Sequence, residues 1–376
     1  AESDYGTAGS VKNAVELLKD RFIIISGDVL TDLNLQKLIQ FHEDKRAEAT
    51  IALSRQANPL QFGVVITDDS GKITRFLEKP SWGQVFSDTI NTGIYILEPK
   101  ALDRIPLHEE FDFSKDLFPV MLRGNAPLYG YIAEGYWKDV GNLNEYLLSN
   151  SDALSGKLKL SLTEYLQQDE VWLHPTAVID PQAKLNPPVL IGSGSRIGAD
   201  AVIEKSIIGA NCTIHPHAKV LESVLWDGVS VGENSTLSQD VIGYRTQVES
   251  GVFISENCFI SDDIKIGNGA TIKANIKIWP SKEIESGATL TSSLIMGDRF
   301  LRELFNESKV TGLVNSEITP EFASKLGAAL GAMVGMEKTV LVARDSSTAG
   351  RMINRGIITG LMSTGIQVYD LRNIPI

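Results

Sequence analysis

The sequence predicts an α/β domain over residues 1–157, a linker over 158–170, a parallel β-helix over 171–297 and the first part of a second α/β domain over 298–376. Three observations carry this. Short apolar runs alternate with amphipathic stretches at the start, an aliphatic residue recurs every six positions in the middle, and a strand–helix–strand pattern closes the chain.

Composition bounds the rest. The chain has 376 residues, 43% of them hydrophobic and 22% charged, which is ordinary for globular protein. Its 47 acidic against 35 basic side chains give a formal charge of −12. With a pI near 5.0 that argues against nucleic acid, whose phosphates demand basic patches, but not against nucleotides. No apolar run approaches the ~18–20 residues of a membrane span, and no basic-then-apolar leader is present. Cys212 and Cys258 are too few for a disulfide framework and form no metal knuckle. The expected class is soluble and cytoplasmic.

In the first domain a helical pattern runs from Ser10 to Lys19, and the apolar strand Phe22–Ile25 ends at Ser26-Gly27-Asp28. A second amphipathic helix follows at Leu35–Lys45, and Thr50–Leu53 reads as a strand. This order predicts a parallel sheet with helices on its faces, whose ligands bind beyond the carboxyl ends of the strands, where Asp28 falls.

The repeat begins at Ile179 and steps through Leu185, Ile191, Ile197 and Ile203. After one-residue slips it continues through Ile208, Ile214 and Val220, then Leu225, Val231 and Leu237, then Ile242. From there it runs unbroken through Val248, Ile254, Ile260, Ile266, Ile272, Ile278, Ile284 and Leu290, with a last short step to Ile295. A period of six fits neither a helix nor an alternating strand. It fits a three-sided coil in which each hexad makes one strand and one corner, its aliphatic residue stacking inside the prism. Glycine after the anchor, as at Gly192, Gly198, Gly209, Gly232, Gly243 and Gly267, is expected to supply positive φ at the corner. The pattern resembles the hexapeptide-repeat left-handed parallel β-helix. Some such prisms are acyltransferases with a catalytic histidine, but His174, His215 and His217 read as corner residues, and no long insertion builds an acyl-donor site. The prism is expected to act as a spacer and homo-oligomerisation surface.

Beyond Met296 the hexads stop. Thr319-Pro320-Glu321 is a helix start, leading to about Val334. Thr339–Val342 reads as a strand, Thr348–Met362 as a helix and Ile366–Tyr369 as a second strand, a βαβ unit. It resembles the first domain of the phosphohexomutases, with Ala343-Arg344-Asp345 where that family has Gly-Arg-Asp and an altered opening signature at Val310-Thr311-Gly312-Leu313. The resemblance implies fold, not activity, and Arg344-Asp345 is read as an ion pair or cap.

Five segments of the first domain combine. They are Gly6-Thr7-Ala8-Gly9, Ser26-Gly27-Asp28, Phe62–Val65 with Phe76–Pro80, Asn91–Tyr95, and Tyr136-Trp137-Lys138-Asp139-Val140-Gly141. In this order and spacing they resemble the sugar-phosphate nucleotidylyltransferases, most of all the mannose-1-phosphate guanylyltransferase group, an incomplete Rossmann-like nucleotidyltransferase domain here. The resemblance implies that Gly6, Thr7 and Gly9 touch the nucleotide from a loop, and that Asp28 and Asp139 hold Mg²⁺. It also implies that Glu78 and Asn91, with the Gly93 backbone, meet the sugar, and that Lys79 pairs with its phosphate. Asp28, Asp139 and Lys79 would be the catalytic set. Two like-charged substrates must meet, so a hard cation and a lysine offset their repulsion. Taken singly, Asp28 also reads as a turn cap, Glu78-Lys79 as a solvated pair, Asn91-Thr92 as turn chemistry and Asp139 as a surface turn; Lys138 reads as solvated.

The implied reaction is GTP plus mannose-1-phosphate giving GDP-mannose and pyrophosphate. Alternatives are uridylyl, adenylyl or thymidylyl transfer to glucose-1-phosphate, or a non-catalytic regulatory subunit of the same fold. The family's Gly-rich loop with its arginine is missing, because the sequence joins the pattern only at Gly6. With no Met at Ala1 and a halt at Ile376 just after a strand, the chain is expected to be cut at both ends and inactive alone.

Overall fold

The computed structural model describes residues 5–78, 80–81, 87–295, 299–300, 305, 309–315, 317–335 and 338–373. The chain divides into two compact units, residues 1–162 and 163–376.

In the first unit α1 spans Gly6–Lys12, not Ser10–Lys19. The helix starts early because Phe111 O accepts the N–H groups of Ala8 and Gly9, both at 2.9 Å, donors that a first turn leaves without internal partners. It then loosens into i→i+3 turns, Ala14 N to Val11 O and Leu18 N to Val15 O, which keep Val11, Val15 and Leu18 against the core. Next come β1 Phe22–Ile25, β2 Val29–Thr31 and α2 Leu35–Asp44, capped by Asn34, whose side chain accepts Lys37 N. The sheet is completed by β3 Ala49–Arg55, β4 Gly63–Thr67, β5 Ile73–Glu78, β6 Thr89–Leu97 and β7 Leu128–Ile132, with α3 Phe118–Arg123 between the last two.

The sheet order is β5-β4-β6-β3-β7, with β1 also on β6. It is mixed rather than parallel. β6 runs antiparallel to β1, β3 and β4, and β3–β7 is the parallel pair among the described residues. The short β4–β5 connection, tied by Asp68 Oδ1 to Ser70 N and Lys72 N, permits only antiparallel pairing, since a parallel return needs a long crossover. Alternate residues of β3 and β6 feed two cores on opposite faces, Ile51, Leu53 and Leu97 on one, Ala52, Ile90 and Ile94 on the other. β1 is less buried than its apolar sequence predicts, with Ile23 and Ile25 exposed.

In the second unit three parallel ladders of two- and three-residue strands build a solenoid from Val171 onward. The predicted linker contributes Leu166–Gln168, which pairs antiparallel with Val171–Leu173. Every anchor from Ile191 to Leu290 is at most 3% exposed, so the period reads out the interior. The last anchor is Leu294 rather than Ile295, since Leu294 bridges to Ile278 and is buried while Ile295 is exposed.

The corner glycines act differently from expectation. Gly192, Gly232 and Gly267 do not have positive φ. A Cβ there would come within 2.5 Å of the next coil's backbone, at Gly209, Glu249 and Ser286 respectively. Positive φ falls three residues after an anchor, at Asp200, Asn211, His217, Asn234, Asn257 and Asp263 among others. At the one-residue slips it moves to the second residue, Lys205, Glu222 and Gln239. A short step is therefore a tightened corner.

The C-terminal part has α5 Pro320–Val334, capped by Thr319, and α6 Thr348–Ser363. The strands Thr339–Arg344 and Gln367–Asn373 pair in parallel, the predicted βαβ unit.

Candidate active site

At the carboxyl end of β1 the chain turns through Ser26-Gly27-Asp28 into β2, which pairs with β8, Trp137–Asp139. The register sets Val29 opposite Asp139, and Val140 N donates to Asp28 O at 2.9 Å. Two aspartates far apart in sequence thus become backbone neighbours. Ser26 N donates to Gly93 O at 3.0 Å. Gly93 has φ +76° and its missing Cβ would lie 2.6 Å from Ser26 Oγ, so only glycine brings β6 this close.

These elements surround a cavity of about 710 Å³ lined by Thr7, Asp28, Glu78, Asn91, Gly93 and Asp139, six of the sequence-predicted site residues. Gly6 and Gly9 do not line it. Gly9 is helical rather than in a loop, and Gly6 opens α1 at φ +63°; a Cβ on Gly9 would lie 2.5 Å from Glu109 O and one on Gly6 2.8 Å from Phe111 O, so both permit α1 to pack on the 109–111 backbone. Lys79 lies outside the described residues.

The floor is a polar network. Asn91 Nδ2 donates to Tyr95 Oη (2.9 Å) and Ser114 Oγ (3.2 Å), while its Oδ1 accepts Gly93 N at 3.0 Å. Both ends of the amide are engaged, so Asn91 shapes the Asn91-Thr92-Gly93 turn as well as facing the cavity. Burial pushes the Tyr95 hydroxyl up to about 12. Asp112 Oδ1 accepts Ser114 N and Lys115 N, capping the helical segment that follows, and its Oδ2 accepts Thr7 Oγ1 at 2.9 Å. Asp112 and Ser114 line the cavity and were missed by the sequence reading. The signal was Asp112-Phe113-Ser114 ahead of the apolar run Leu117–Met121, an Asp with the spacing of a helix N-cap.

Asp28, Glu78, Asp112 and Asp139 line the cavity, and no basic side chain does so among the described residues. No group of three or more His, Cys, Asp or Glu is arranged to hold a metal unaided among those residues. Two carboxylates lining one cavity, Asp28 and Asp139, suit a hard divalent cation that keeps several outside ligands.

Trp137 is buried and donates from Nε1 to Thr92 O at 2.9 Å, with Phe62 edge-on at 5.5 Å. Lys138 is not solvated as expected: it is 22% exposed and paired with Glu145 at 3.0 Å and Asp152 at 3.5 Å. In the second unit Arg344 Nη1 donates to Asp345 O, while Asp345 Oδ1 accepts Ser347 N and Oγ, a cap before α6. His174 bonds Thr176 at 2.8 Å, and His217 occupies a positive-φ corner beside Asp200.

Three family models match successive parts of the chain. A family model described as nucleotidyl transferase matches residues 1–156, one for the EIF2B subunit epsilon LbH domain matches 168–272, and one for phosphoglucomutase/phosphomannomutase, alpha/beta/alpha domain I, matches 302–376. The chain is 34% identical over 289 residues to a mannose-1-phosphate guanyltransferase of Yarrowia lipolytica, covering 72% of this chain and 75% of that protein. It is 33% identical to a UTP–glucose-1-phosphate uridylyltransferase of Synechocystis sp., covering 65% of each. It is 32% identical to a mannose-1-phosphate guanylyltransferase of Mycobacterium tuberculosis, covering 55% of this chain and 57% of that protein. The chain thus spans less than two thirds of the length of the latter two proteins.

Proposed function

The chain belongs to the sugar-1-phosphate nucleotidyltransferase family, and from that premise we propose that its first domain transfers a nucleoside monophosphate from a triphosphate to a sugar-1-phosphate. The observation that carries this is the convergence of Asp28, Glu78, Asn91, Gly93 and Asp139 on one cavity.

In this reading a sugar-phosphate oxygen attacks the α-phosphorus in line, the bond to the bridging oxygen breaks, and pyrophosphate leaves with that electron pair. Glu78 accepts hydrogen bonds from sugar hydroxyls, the Gly93 turn sets the close wall of the sugar pocket, and Lys79 opposes the sugar phosphate's charge. Asp28 and Asp139 would hold Mg²⁺, which when bound would supply Lewis-acid charge stabilisation. Positioning and charge stabilisation do most of the work.

The favoured substrates are GTP and mannose-1-phosphate, and the favoured setting is the cytoplasm, as a homo-oligomer assembled through the solenoid. A second reading is uridylyl transfer to glucose-1-phosphate, supported by the similarity to the Synechocystis uridylyltransferase. The test is pyrophosphate release by the full-length gene product across four triphosphates and both sugar phosphates. GTP with mannose-1-phosphate should rank first. A preference for UTP with glucose-1-phosphate selects the second reading. No turnover with any pair would replace both by a non-catalytic subunit.

A further inference from the structure

Period-two geometry gives β8 two faces. Trp137 and Asp139 line the cavity, whereas Tyr136 and Lys138 project the other way. Both of the latter meet one carboxylate, Asp152 on α4, Leu143–Leu154. Tyr136 Oη donates to Asp152 Oδ2 at 2.9 Å, and Lys138 Nζ lies 3.5 Å from the same oxygen. Lys157 Nζ donates to Oδ1 at 2.7 Å, and Lys138 is also held by Glu145 at 3.0 Å. The Asp152 side chain is 15% exposed, so its contacts to Tyr136 and Lys138 are largely out of water. An isolated pair of three-residue strands is marginal in water, so β2–β8 must be anchored from outside. From the front it is held by the Trp137 indole on Thr92 O, and at its start by Asp32 Oδ1, which accepts Tyr136 N at 2.6 Å. From behind, Asp152 holds the two outward-facing side chains that precede Asp139, Tyr136 and Lys138.

We propose that Asp152, acting through Tyr136 and Lys138, is a positioning residue that fixes the Asp139 carboxylate for a divalent cation shared with Asp28. This rests on the metal-dependent transferase reading above. Its physical content is that a ligand's outer partners set its orientation, and their loss typically costs 10–100-fold in metal affinity.

The test measures Mn²⁺ binding to the full-length gene product by electron paramagnetic resonance, with a nucleoside triphosphate present to supply the outside ligands, together with its unfolding midpoint. Asp152→Asn should weaken Mn²⁺ binding by about tenfold. Tyr136→Phe, which removes one hydroxyl and keeps the ring, should give a smaller loss in the same direction and serves if Asp152→Asn does not fold. Lys157→Met removes the exposed partner of the same carboxylate without touching β8 and should leave Mn²⁺ affinity unchanged. In the full-length gene product, Asp152→Asn should raise the Mg²⁺ needed for half-maximal turnover while kcat at saturating Mg²⁺ stays within about twofold. Unchanged Mn²⁺ affinity in Asp152→Asn and Tyr136→Phe, with Asp139→Asn abolishing binding, overturns the positioning role and leaves the transferase reading standing. A Lys157→Met effect as large as that of Asp152→Asn also overturns it. Mn²⁺ binding indifferent to Asp139→Asn overturns both.

Discussion

Two residues before most aliphatic anchors the solenoid has a second interior position, filled by Val189, Ser195, Ala201, Ser206, Cys212, Ala218 and Ser223 among others. At one coil that position is Asp240, fully buried. Its oxygens accept Cys258 N and Ser238 N, both at 2.9 Å. Burial pushes its carboxyl from 3.8 up to about 8, against the opposing pull of those two bonds. Between those values the folded chain binds a proton that the unfolded chain has released, so stability falls as pH rises through this window and is level above it. From pH 5 to pH 8, at about 1.4 kcal/mol per unit, the ceiling is about 4 kcal/mol. The preceding coils show what should remove this dependence. Ser206 Oγ accepts Ser223 N, and Ser223 Oγ accepts Asp240 N, each at 3.0 Å, so a serine can carry the ladder at this corner. Asp240→Ser should therefore match or exceed the wild type at pH 8 and lose its relative advantage as pH falls to 5. The assay is urea unfolding of both proteins across that range, followed by hydrogen exchange at residues 235–260, with the difference between the two as readout. Parallel pH profiles would refute the reasoning, because the proton would then be binding elsewhere.

Asp28→Asn and Asp139→Asn in the full-length gene product should each lower kcat by roughly 10²–10⁴, with the double variant scarcely worse; turnover assays that show full multiplication would exclude a shared ion. Gly232→Ala puts a Cβ 2.5 Å from Glu249 C and should cost about 3 kcal/mol in urea unfolding. Gly269→Ala, at φ +67° with nothing within 4 Å, should cost only about 1 kcal/mol, and equal losses would contradict the close-approach account.

The hexad period determined the solenoid by itself. An aliphatic residue every sixth position has one geometric solution that buries all of them, and Ile191 through Leu290 are buried as that solution requires. The same logic placed α2, α5 and α6, where spacing and caps act locally. Five short segments singled out Asp28, Glu78, Asn91, Gly93 and Asp139, which the fold brings to one cavity. Tertiary structure decided what depends on neighbours distant in sequence. Whether Gly192 bends the chain or lets another coil approach depends on Gly209, a residue no local rule consults. The start of α1 depends on Phe111 O, and the direction of β6 depends on which strands flank it. Asp112 and Asp152 carry no local mark beyond an acid at a helix start and an acid within a helix. One faces the cavity and the other holds the back of the strand that carries Asp139, because side-chain reach is set by packing in three dimensions while sequence patterns report only the period of the backbone.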